Sequence, residues 1–387
     1  MAGNTVVLMA VGDLILDEPE AERFFDLSAP VLRTGDVVVG QVEVPYTTRG
    51  VERSSDVPAP ASDPRNLTAL ANAGFHVATL AGNHVFDAGE MGVRDTIHHL
   101  LDLGIHTTGA GMNIDEARRP VIVERKGVRF GFLSYNCVGP RDSWAMRNKP
   151  GCAYVQILTH YELDHATPGG PPAIYTFAEP ESLEAMEDDI RNLRRLCDVL
   201  VVALHKGIGH VPAKLAMYEK QVSRAAIEAG ADLILGHHAH ILRGIEFYKG
   251  KPIFHGLGNF VTVTRALSPD GNSSPERQAW ARRRKELFGF EPDPECPIFP
   301  FHPEAKNTFI AKCTVDGGTV ARISFIPCFV NKKGQPEVLG NDERGHQVCE
   351  YVDRITRAAG LNARYYWDGD EVVVYEEQSS DAACAEQ

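Results

Sequence analysis

A chain of 387 residues with 43% apolar composition can bury a substantial core, which excludes intrinsic disorder as its class. Its formal charge of −13 excludes sequence-independent nucleic-acid binding, because that needs a cationic face to release phosphate counterions. Eight cysteines, spread from Cys137 to Cys384, make no CxxC pair or regular framework, so free and mostly buried thiols in a reducing compartment are expected.

In chain order, residues 1–5 show no basic region, long apolar segment or cleavage-like site, and no apolar run is long enough to cross a bilayer. A soluble cytoplasmic protein without a membrane partner is the expectation. Apolar runs at 6–11, 37–42, 77–81, 199–204 and 233–235 read as strands buried on both faces. Between them, 66–73, 89–103, 182–196 and 214–229 carry apolar residues at helical spacing, and this alternation is the α/β signature. Hairpins are predicted at 120–135 around Arg125-Lys126-Gly127, at 241–254 around Lys249-Gly250-Lys251, and at 309–329 with a turn at Asp316-Gly317-Gly318. A helix is expected over 343–359, a last strand over 371–375 and a flexible tail over 376–387. Two stretches, 138–176 and 265–307, break the alternation. Structureless loops that long are usually functional or disordered, and both are read as lids inserted into a single catalytic domain over 1–375.

The polar chemistry gathers where the apolar runs end, at Asp13, Glu43, Gly82-Asn83-His84, His205 and Gly236-His237-His238-Ala239-His240. Strand carboxyl ends are where α/β folds place ligands, so these residues are expected on one rim. Asp13, Glu43 and Asn83 offer oxygen, while His205, His238 and His240 offer imidazole nitrogen. That mixture suits a divalent metal ion, the oxygens favouring Ca or Mn and the imidazoles admitting Fe or Zn. Glycine lets backbone approach an ion, and alternate residues of an extended segment project together, which pairs His238 with His240 and turns His237 away. His76, His98, His99 and His106 read as surface or core residues.

Through Val11-Gly12-Asp13, Glu43-Val44-Pro45, Ala81-Gly82-Asn83-His84 to Asp87-Ala88-Gly89, His205-Lys206-Gly207, the Gly236 to His240 run and Gly258-Asn259-Phe260, residues 6–264 resemble the CapA-type branch of the calcineurin-like metallophosphoesterases, named for poly-γ-glutamate capsule synthesis. The resemblance implies a four-layer α-β-β-α sandwich, two mixed sheets flanked by helices, with metal at the sheet edges. It implies Asp13, Glu43, Asn83, His205, His238 and His240 as the metal neighbourhood, with His84 as the acid/base histidine. The wider superfamily carries Asp-x-His on its first strand and Gly-Asp on its second. Here Asp13-Leu14-Ile15 lacks that histidine, and Gln41-Val42-Glu43 brings a longer carboxylate without the glycine. A two-metal phosphoester site, with ions about 3.5–4 Å apart, is thereby weakened, and one hard ion still fits.

One cation beside histidines suits proton transfer next to a carboxylate. His84 with Asp87 is the expected catalytic pair on one side, although Asp87 equally suits a brace where the next helix begins. On the other side His205, His238 and His240 stand as alternatives, oriented by Asp13 or Asp17. Lys206 and the Arg282-Arg283-Arg284-Lys285 run are candidates for a substrate carboxylate, the run reading more readily as a solvated basic turn. His302 and Asp164-His165 lie in the proposed lids. Trp144, Tyr154, Tyr161 and Tyr175 suit either an apolar groove or packing beneath a loop, and Asn259 reads as a supporting brace. The branch resembled includes an enzyme that epimerises the C-terminal residue of a ribosomal lasso-peptide precursor. Abstraction and return of the Cα proton, on a peptide with a free C-terminal carboxylate, ranks first on that basis. The alternatives are metal-dependent hydrolysis of a phosphoester or γ-glutamyl amide, and a non-enzymatic component of poly-γ-glutamate synthesis.

Overall fold

Apolar side chains at almost every position let Val6–Leu16, Val37–Val42, Val77–Thr79, Val199–Lys206 and Leu233–His238 bury both faces, and all five are strands as predicted. The computed structural model, which describes residues 5–53, 57, 59–162, 172–266 and 275–377, sets them in two mixed sheets. Val6–Leu16 is central in the larger sheet. It pairs in parallel with Val37–Val42, which leads on to Val77–Thr79 and His106–Thr108, and antiparallel with Asn307–Asp316 on its other side. In the smaller sheet Val199–Lys206 lies between Val128–Asn136 and Leu233–His238, parallel to both.

Strand alternation sorts the apolar side chains into three layers. Val199, Val201 and Ala203 meet Val39 and Val77 of the larger sheet between the two sheets. Leu200, Val202 and Leu204 face outward and pack on Met186 and Ile190 of Pro180–Arg194 and Val222 of Met217–Ala229. Across the molecule, Val38 and Val42 pack with Leu70, Val93 and Leu100 from Thr68–Ala73 and Gly89–Asp102. Each such side chain contributes roughly 1.5–3 kcal/mol over its exposed state. The order is helix, sheet, sheet, helix, the α/β sandwich expected.

The three hairpins and the helix Glu343–Ala358 form where predicted. The two proposed lids are not structureless. Ile157–Glu162 and Ala173–Ala178 pair as a separate antiparallel ribbon in the first, and Pro275–Phe288 is a helix in the second. Asp164 and His165 lie outside the described residues. Among further strands that were not foreseen are Asn259–Val263 and Ala363–Asp368, the latter pairing with Glu371–Glu376. Glu376, assigned to the tail, therefore closes a strand, and 378–387 lie outside the described residues. No helix among the described residues is long and apolar enough to cross a membrane.

Candidate metal centre

The central strand changes partner just before its first acidic residue. Val6 to Ala10 pair with Asn307–Asp316, whereas from Asp13 onward the neighbour is Asn259–Val263. Gly12 stands at the exchange, where a Cβ would lie 2.0 Å from the Gly258 carbonyl oxygen, so only glycine lets these backbones meet. Asp13 N donates to that same carbonyl at 2.8 Å. Gly236 plays the equivalent part in the smaller sheet, with a Cβ position 2.2 Å from the His255 carbonyl oxygen. Strands that part in this way open a crevice at their carboxyl ends.

Asp13, Glu43 and His240 each bring a donor atom to this crevice, all within 4.8 Å of one another. His240 Nε2 lies 3.2 Å from Glu43 Oε1, and its Nδ1 is 3.7 Å from Asp13 Oδ2 and 2.9 Å from Asn259 Oδ1. Asn259 is thus the brace its position suggested. Asp13 Oδ2 accepts from His238 N at 3.2 Å, yet Asp13 Oδ1 and both Glu43 oxygens are buried without a hydrogen-bond partner. An unsatisfied buried polar atom costs about 1–3 kcal/mol, more when charged, and three in one place fit a bound cation. The donor set, two carboxylates and an imidazole, is that of a divalent ion.

Asn83, His205 and His238 adjoin this group without joining it. His205 Nε2 is 2.8 Å from Asn83 Oδ1 and 3.2 Å from His238 Nδ1, so three donors converge a second time. Burial, then the neighbouring imidazoles, holds His205 well below the usual histidine range, and burial followed by His240 brings His238 to about 3. Both are neutral at pH 7, the form that binds a metal. Burial also opposes a proton on His240, but Glu43 and then Asp13 outweigh it and raise that group to about 9. The two carboxylates demand a positive charge, either a proton on His240 or a metal ion that replaces it.

His84 Nδ1 lies 2.7 Å from Asp87 Oδ2, both buried, across a turn closed by Asp87 N donating to the His84 carbonyl at 3.0 Å. The following helix begins after Ala88 with no side-chain cap, so the Asp87 carboxylate serves the imidazole rather than the helix. His84 and Asn83 share a cavity of about 170 Å³ with His238 and His240. Its walls are mostly apolar, and Ile15, two residues after Asp13, is among them.

His210, which nothing in the sequence singled out, also lines this cavity. Its N donates to the Ala239 carbonyl at 2.8 Å and its ring lies 5.7 Å from that of His240. Of the six described non-glycine residues with positive φ, three are His210, His238 and His240. Such backbone costs on the order of 1–3 kcal/mol per residue and collects at functional sites. His238 and His240 therefore converge through left-handed turns, not through strand alternation. His237 does not turn away either: its Nδ1 is 3.3 Å from Asp13 Oδ1.

The remaining expected residues take other parts. Asp17 lines the cavity and accepts from the Ser62 and Thr264 hydroxyls at 3.3 and 2.8 Å, while Asp13 is the carboxylate in contact with His237, His238 and His240. Lys206 is fully buried, 3.0 Å from His255 Nδ1 and 3.5 Å from Glu219 Oε2, beyond the reach of a substrate. His302 Nδ1 accepts from Glu304 N at 3.1 Å and caps a short helix. Trp144 stacks on Tyr154 at 4.3 Å as packing, and Tyr161 and Tyr175 are exposed on the separate ribbon. Within the basic run Arg282, Arg283 and Lys285 are exposed, but Arg284 is buried and lines the cavity.

A family model described as bacterial capsule synthesis protein PGA_cap matches residues 7–264. The PGA biosynthesis protein CapA of Bacillus subtilis (strain 168) is 28% identical over 261 residues, 65% of this chain and 62% of that protein. A probable polyglutamine synthesis accessory protein of Mycobacterium tuberculosis (strain ATCC 25618 / H37Rv) is 31% identical over 202 residues, 51% of this chain and 48% of its own length. The matched part thus spans about half to three-fifths of these relatives. Among solved structures, the calcineurin-like phosphoesterase YfkN from Bacillus subtilis superposes with a TM-score of 0.38 at 12% identity, over 91% of this chain and 97% of that one. A hypothetical protein from Thermus thermophilus gives 0.42 at 14% identity, over 83% and 98%.

Proposed function

The chain belongs to the bacterial capsule synthesis protein family PGA_cap, and from that premise we propose that it is a metal-dependent acid/base enzyme acting on a peptide, exchanging the Cα proton of a C-terminal residue and so epimerising it. One observation carries this reading: a histidine held by an aspartate at 2.7 Å faces an apolar cavity beside three buried carboxylate oxygens without hydrogen-bond partners. A divalent cation held by Asp13, Glu43 and His240, with Asn83, His205 and His238 adjoining, supplies Lewis acidity that makes a proton next to a carboxylate more acidic. Asp87 accepts from His84 Nδ1–H, which leaves Nε2 as the basic atom and fixes the ring for abstraction. His210 and His238 line the same cavity and are the candidates for returning the proton from the other face. Apolar walls such as Ile15, Val44 and Phe301 limit water, which epimerisation does not consume. We place the protein in the cytoplasm, since all seven described cysteines are free.

The names of the relatives favour a second reading, in which the same site contributes to PGA or polyglutamine synthesis, and metal-dependent hydrolysis of a γ-glutamyl amide is the hydrolytic alternative. Deuterium separates the two. In D2O the protein should add one mass unit at the Cα of the last residue in a library of short peptides with free C-termini, leaving the chains intact. His84→Ala and Asp87→Asn should lower that exchange by about 10²–10⁴-fold with metal content retained. Cleavage without exchange, or loss of metal from the His84 variant, would sink the proposal.

A further inference from the structure

The helix Pro275–Phe288 turns one stripe toward the cavity: Trp280, Arg284 and Phe288, each four residues from the next. Three of the four consecutive basic residues on this helix are exposed, while Arg284 is 4% exposed. It is the only arginine or lysine among the described residues that line the cavity. A guanidinium is taken from water only at a cost that its hydrogen-bond and charge partners must offset. Among the groups that hold it, the Pro300 carbonyl accepts from Nη1 at 3.1 Å, and the centre of the Phe290 ring is 5.8 Å from the guanidinium carbon. Aromatic and aliphatic side chains, Trp280, Phe288, Phe301, Ile15 and Val44, line the cavity together with the Asp17 carboxylate and the imidazoles of His84, His210, His238 and His240. Its volume of about 170 Å³ is on the scale of a cavity that admits benzene, which has room for one side chain.

We propose that Arg284 is the anion anchor of this site, taking the carboxylate of a terminal residue whose apolar side chain fills the aromatic part of the cavity. This rests on the reading of the cavity as a peptide site and names what that site selects: a free C-terminal carboxylate on an apolar residue. A guanidinium donates two parallel hydrogen bonds to a carboxylate, which fixes the orientation of the group as well as its charge. A single guanidinium matches one carboxylate better than a phosphate dianion. Arg284 is thereby a specificity-determining residue within the same cavity as His84.

The test is binding, measured by calorimetry on the full chain with metal content matched between variants. N-acetyl-L-phenylalanine should bind the wild type at least about tenfold more tightly than its carboxamide. Arg284→Met should abolish that preference, Arg284→Lys should keep part of it, and Arg283→Met, at an exposed neighbour, should leave it unchanged. Circular dichroism melts establish that each variant is folded, and the Lys variant carries the test if the Met variant is not. No acid-over-amide preference in the wild type, an unchanged preference in folded Arg284→Met, or tighter binding of phenyl phosphate overturns the proposal. Its failure is separable from that of the epimerase reading. Preference without Cα exchange removes the reaction and keeps the anchor; exchange with an unaltered preference in Arg284→Met does the reverse.

Discussion

Glu43 offers two buried oxygens without hydrogen-bond partners, and its Oε1 lies 3.2 Å from the His240 imidazole. A cation that binds there stabilises the folded chain by RT ln(1 + [L]/Kd), about 2.7 kcal/mol at a hundredfold excess over Kd. Manganese or calcium should therefore raise the melting temperature of the wild type, and Glu43→Gln, equal in size but uncharged, should lose most of that rise together with its metal in elemental analysis. An equal rise in both proteins would remove Glu43 from the centre. Asp13, Glu43, Asn83 and the histidines after Gly236 were legible in sequence because each follows an apolar strand. His210 was not, since it lies five residues past His205 in a loop whose left-handed turn no local pattern announces. Arg284 was hidden inside a basic run, where three solvated neighbours made the fourth look the same.

Element by element, the sequence spoke most clearly where burial was continuous, as in Val6–Leu16 and Val199–Lys206. It was silent where packing came from distant residues. Asn259–Val263 is a strand because the central strand abandons Asn307–Asp316 at Ala10 and needs a new partner from Asp13, a fact invisible in Gly258-Asn259-Phe260 itself. Pro275–Phe288 escaped notice because its polar, arginine-rich sequence carries only a narrow stripe of large side chains. Gly12 is where element and site meet. Gly12→Ala would drive a methyl into the Gly258 carbonyl, 2.0 Å away, so the strands must separate. We expect about 1–3 kcal/mol of destabilisation in urea unfolding, together with weaker metal binding as Asp13 moves. Wild-type stability and metal affinity in this variant would show that the crossover does not depend on close backbone contact.

Behind the metal centre an ionic chain, buried except at Arg224, ties the smaller sheet to its helices. Arg224 pairs with Glu246, Glu246 Oε2 is 2.8 Å from His255 Nε2, His255 Nδ1 is 3.0 Å from Lys206 Nζ, and Arg243 Nη2 donates to Glu219 at 3.2 Å. Lys206 donates to His255 Nδ1, so the ring is neutral with its remaining proton directed at Glu246. Burial first, and then Lys206, lowers His255 to about 4, against 6.5 for an exposed imidazole. Between those values the unfolded chain binds a proton that the folded chain does not, so stability is full above about 6.5 and falls as the pH drops toward 4. Burial tends to raise Glu246, but the His255 and Arg224 contacts prevail and hold it near 2, against 4.5 when exposed. Its contribution is present above about 4.5 and is lost as the pH falls toward 2, the same direction in a lower window. Acid should therefore weaken the molecule progressively from pH 6.5, with His255 alone accounting for up to about 3 kcal/mol by pH 4. Urea unfolding at pH 7.5, 6 and 5 reads this directly. His255→Gln keeps an amide able to accept from Lys206 but cannot titrate, so its stability should fall less steeply over that range than the wild type's. Parallel slopes in the two proteins would mean that His255 does not carry the acid sensitivity.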